Sequence, residues 1–128
     1  MCLFLCINNL TNNLYMSPTT STTSFFNVVS ELATNFAKLW KEASLAFQNN
    51  QMSEDEYGEF ERIYVSFTDA NCELSVGEMS QNQFLRTLYD LTKDSQILSH
   101  TIYTYSLFDL LADSYIELAE INLCRNDA

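Results

Sequence analysis

Gly58, Gly77 and Pro18 are the only glycines and the only proline in 128 residues. Few residues can therefore take the turns that a β-meander, a Gly-rich phosphate loop or a sandwich needs. With 47% apolar residues the chain has enough material to bury a core. A single all-α domain over residues 24–128 is the architecture left open. Residues 1–23 form an N-terminal extension and a Ser/Thr-rich linker, and Met16 stands as an alternative first residue. No internal repeat of fixed period is present.

The spacing predicts four helices. The first spans 24–49, with Phe25, Val29, Leu32, Phe36, Leu39, Ala43 and Ala46 on one stripe and Glu31, Lys38, Lys41 and Glu42 opposite. Asn49-Asn50-Gln51 breaks it. Ser53 with Glu56 makes a capping box that starts the second helix, 53–73. Tyr57, Phe60, Tyr64 and Phe67 form its apolar stripe, and Gly58 within it suggests a close helix crossing. A turn around Gly77 follows, then Ser80 with Gln83 starts the third helix, 80–96, on which Arg86 and Asp90 are spaced to pair. Ser99 or Thr101 caps the fourth, 101–124. Short connections imply antiparallel neighbours in a bundle.

The fourth helix is apolar on most sides: Leu107, Phe108, Leu110, Leu111, Tyr115, Ile116, Leu118 and Ile121. Its carboxylates, Asp109, Asp113, Glu117 and Glu120, fall within an arc of roughly 80°. It contains no Lys or Arg. The expectation is a central helix, buried on nearly every side, that shows one acidic edge. Where the bundle leaves it uncovered, a homodimer would cover it.

Seventeen acidic residues against six basic ones give a net charge of −11, and no charge precedes Glu31. Direct binding to nucleic acid or to an anionic membrane is disfavoured, since both require a basic footprint. No apolar run is long enough to span a bilayer. Cys2, Cys6, Cys72 and Cys124 show no C-x-x-C or metal-ligand spacing, so free thiols in a reducing compartment, the cytoplasm, are expected. Asn9-Leu10-Thr11 is a glycosylation sequon by pattern alone.

Chemistry finds little footing. Carboxylate-bridged metals in helical bundles use Glu-x-x-His pairs; the chain has one histidine, His100, and no such pair. No nucleophile motif is present. Glu56-Tyr57-Gly58-Glu59 and Glu117-Leu118-Ala119-Glu120 each read E-x-x-E, with Asp109 and Asp113 nearby. In these pairs, in size and in helix count the chain resembles the all-α nucleotide pyrophosphatases, which implies a Mg²⁺-dependent alternative function. It departs from them in lacking E-x-x-D and in the four-residue spacing of Asp109 and Asp113. Trp40 is a candidate partner anchor or, by its stripe, a core residue. The leading expectation is a non-enzymatic interaction protein with no cofactor and no metal. Its acidic edges are Asp109, Asp113, Glu117 and Glu120 on helix four and Asp55, Glu59, Asp69 and Glu73 on helix two. They would dock on a basic protein partner and imitate a phosphate backbone. In bulk properties the chain resembles small phage and viral inhibitors, the anti-restriction and anti-CRISPR proteins. A self-associating structural or assembly subunit is the second reading.

Overall fold

A computed structural model describes residues 20–98 and 101–127, with side chains over 24–98 and 101–123. Four helices form: α1 (Thr20–Gln48), α2 (Glu54–Ser75), α3 (Gln81–Ile97) and α4 (Ile102–Asp127). No strand occurs among the described residues. No helix there is long and apolar enough to cross a membrane. The all-α bundle expected from the sequence is what forms. α1 begins at Thr20, inside the Ser/Thr-rich stretch. The rest of the N-terminal extension, with its sequon, lies outside the described residues.

Local chemistry sets the helix ends. Ser53 Oγ accepts the Glu56 amide at the start of α2. Ser80 and Gln83 close a reciprocal box at the start of α3, at 2.9 and 3.1 Å. Thr101 does the same for α4 with Thr104, each hydroxyl accepting the other's backbone N–H. At the end of α1 Asn50 takes a φ of 60°, and the Gln51 amide donates to the Ala46 carbonyl at 2.8 Å. α2 ends likewise at Gly77, φ 82°, with the Glu78 amide donating to Glu73. Both are left-handed Schellman stops, which satisfy carbonyls the helix leaves open.

Ring contacts give the helix directions. Phe47 stacks on Tyr57 at 4.3 Å, Trp40 on Tyr57 and Tyr64 at 5.1 and 5.2 Å, and Phe36 meets Phe67 at 5.3 Å. The partner number rises as the α1 number falls, so α1 and α2 are antiparallel. Arg62 with Asp94 and Phe67 with Phe84 show the same for α2 and α3. Tyr89 with Tyr115 and Asn82 with Asn122 show it for α3 and α4. α1 and α4 close the ring, and α2 stands across the bundle from α4. Trp40 is thus a half-buried member of the aromatic stack that lines the core.

Helix α4 makes the most extensive packing, nearly all of it against α1 and α3. Burial on nearly every side is corrected: Ile102 is 72% exposed, Leu123 61%, and Tyr105 and Ile116 each 55%. Four helices around one core form a ring, and a ring gives each member one inward side. That side of α4 carries Leu107, Leu111 and Leu118, with Thr104, Ser114 and Asn122.

Three further expectations change. Gly58 is exposed, and a Cβ built there meets nothing within 4 Å, so no close crossing uses it. Replacing Gly58 with Ala is therefore expected to stabilise the protein by about 1 kcal/mol, read from urea denaturation; a loss of stability would show a contact at that face. Cys72 is disulfide-bonded and not a free thiol. Spacing along the chain could not show this, because no other cysteine stands near Cys72 in the sequence. Arg86 and Asp90 form no ion pair; Arg62 instead bridges Glu59 at 3.0 Å and Asp94 at 2.9 Å. Within the core, Asn71 is fully buried and neither of its amide atoms finds a hydrogen-bond partner among the described residues.

Candidate interaction surface

The α4 strip forms because the helix turns 100° per residue. With Leu107, Leu111 and Leu118 turned to the core, Asp109, Asp113, Glu117 and Glu120 must lie on the far side, and all four are exposed. Asp113 and Glu117 border a shallow groove of about 130 Å³ between α4 and α1. Glu31 of α1 lines the same groove, with Leu32 and Leu110. Sequence reasoning left Glu31 out of the acidic surface, since α1 taken alone is charge-balanced. Only the packing of α1 on α4 adds it, and no local signal announces that. No basic side chain pairs with the strip among the described residues.

The α2 edge differs. Asp55, Glu59, Asp69 and Glu73 are all exposed. Asp55 lies with Glu54 and Glu56 in the first turn of α2, where the helix dipole favours negative charge by about 0.3–1 kcal/mol. Glu59 is held by Arg62. The hydrogen bond to Asp94 first, then that to Glu59, raises the Arg62 pKa above its ordinary value. The trio is half-exposed, so each pair stabilises the fold by less than about 1 kcal/mol. Of the α2 acids, Asp69 and Glu73 have neither of these local explanations.

Because α2 and α4 stand across the ring, the eight carboxylates do not make one face. They form two acidic edges on opposite sides of the bundle. The same separation parts the two E-x-x-E pairs, Glu56 with Glu59 and Glu117 with Glu120. Glu56 is also engaged at the α2 cap, where Ser53 Oγ donates to it at 3.3 Å. No group of three or more Asp, Glu, Cys or His is placed to hold a metal ion among the described residues. His100 lies outside the described residues. Comparison with protein-family models, with curated proteins and with solved structures finds no match.

Proposed function

We propose that the protein is a non-enzymatic interaction protein whose α4 edge docks on the basic surface of a protein partner. The observation that supports this most directly is the exposed strip Asp109, Asp113, Glu117 and Glu120, without a basic partner on its own or a neighbouring helix among the described residues. A rigid helix sets these charges about 4.5–6 Å apart along its axis, and Glu31 adds another across the groove. One strand of duplex DNA carries a charge about every 3.4 Å. The strip thus approaches, at lower density, the charge row that a nucleic-acid-binding groove accepts. A natural target is a nucleic-acid-handling enzyme, and the class of protein is the small acidic inhibitor that phages and viruses deploy. In this reading it acts in the cytoplasm, that of the host cell where the source is viral. A disulfide is uncommon there, so the redox state of Cys72 in cells bears on the placement.

The test combines Asp109→Lys, Asp113→Lys, Glu117→Lys and Glu120→Lys. Partner capture from native extract is compared at low and high salt. Wild-type capture of a basic protein is expected to weaken steeply with salt. Reversal is expected to weaken it by about tenfold or more with helicity unchanged. Equal capture by the reversed variant overturns the proposal.

A further inference from the structure

We infer that the α3–α4 face is a two-fold interface that docks a second copy of this chain. Six of the nine large apolar side chains that remain exposed belong to these two helices: Tyr89, Ile97, Ile102, Tyr105, Ile116 and Leu123. On α4 the positions Tyr105, Ala112, Ile116, Ala119 and Leu123 are spaced seven, four, three and four apart. That is the repeat of a helix seam that packs on another helix, and its two alanines permit close approach. Beside it, Tyr89 and Tyr115 meet at 5.6 Å and border a cleft of about 320 Å³ with Leu85, Arg86 and Asp90.

Charge says what covers the seam. On its α3 side stand Arg86 and Lys93, the latter with its Nζ 5.4 Å from the centre of the Tyr89 ring. On its other side stand Asp109 and Glu120. With Asp90 beside Arg86 in the cleft, the α3 side still keeps a net positive charge. The face runs basic, apolar, acidic, and a copy turned about a two-fold axis parallel to α4 meets it in the order acidic, apolar, basic. Register agrees. The contacts of Asn82 with Asn122 and of Tyr89 with Tyr115 put Arg86 level with Leu118 and Lys93 level with Leu111. A two-fold axis parallel to α4 keeps every level and exchanges the two sides, so the two seams run parallel and Tyr105, Ile116 and Leu123 each meet the same residue of the second copy. It brings Arg86 within a turn of the level of Glu120 on the second copy, and Lys93 within a turn of the level of Asp109. Such a self-complementary patch is what an isologous dimer requires. It also offsets the mutual repulsion of two chains of charge −11, which salt screens beyond about 8 Å. The interface takes Asp109 and Glu120 from the acidic strip, while Glu31, Asp113 and Glu117 flank the α1 side and stay open to a basic partner.

Analytical ultracentrifugation of the purified full chain tests it with no other partner present. The expected result is a reversible species of twice the 14.7 kDa chain mass. Ile116→Asp is expected to raise its dissociation constant about tenfold or more, with the circular dichroism unchanged. Arg86→Glu alone should weaken the dimer, and Arg86→Glu combined with Glu120→Arg should restore it. A wild-type chain that stays monomeric into the millimolar range overturns the inference. So does a dimer indifferent to Ile116→Asp, or one that the paired charge swap fails to restore.

Discussion

Phe36→Ala is expected to cost about 3–5 kcal/mol, a large share of the roughly 5–15 kcal/mol that holds a domain of this kind together. Phe36 is fully buried, and three rings close on it: Tyr64 at 5.0 Å, Phe67 at 5.3 Å and Phe60 at 6.1 Å. All three come from α2, so the truncation opens the α1–α2 seam at its centre. The loss has two parts. The ring's apolar surface no longer leaves water on folding, and the remaining rings cannot collapse to fill the space. Chemical denaturation at neutral pH measures it. Leu45→Ala serves as control, since Leu45 is exposed and should change stability by no more than about 0.5 kcal/mol. Similar effects at Phe36 and Leu45 would mean that the aromatic chain does not carry the core.

Asn71→Leu is expected to do the opposite and stabilise the protein by about 1–3 kcal/mol. Asparagine and leucine are close in size, so the exchange leaves the packing nearly unchanged. It removes an amide that has lost its water on folding and regained no hydrogen bond among the described residues. Asn122 is the useful contrast. Its Nδ2 donates to Asn82 Oδ1 at 2.6 Å and ties α4 to α3, so Asn122→Leu should lower stability. A fall in the denaturation midpoint for Asn71→Leu would show that the Asn71 amide is satisfied in solution.

How far the sequence reached depends on whether a property was local. Helix starts at Ser53, Ser80 and Thr101 were legible because a cap is decided by residues three apart. The apolar stripe of α1 was legible because a helical period projects it onto one side. The outward strip on α4 followed from the same periodicity. What lay beyond reach depends on which helices meet. The expected burial of α4 treated apolar character as burial, yet four helices in a ring leave each one a solvent side. Arg62 found Asp94, thirty-two residues away, where the sequence offered Arg86 with Asp90. Glu31 joined the acidic surface only through the packing of α1 on α4, and the placement of α2 opposite α4 divided into two edges what reads along the chain as one acidic character. The disulfide at Cys72 was equally beyond reach, since no other cysteine stands near it along the chain.

The division of the carboxylates between opposite sides sets a valence. A flat basic surface can touch the α4 edge or the α2 edge, and not both. A single partner that uses both must present a cleft and straddle the bundle. Two partners that use one edge each would be joined by it, as by a spacer one bundle wide. Stoichiometry therefore carries information about shape: one partner per chain describes a wedge in a groove, and two describe a bridge.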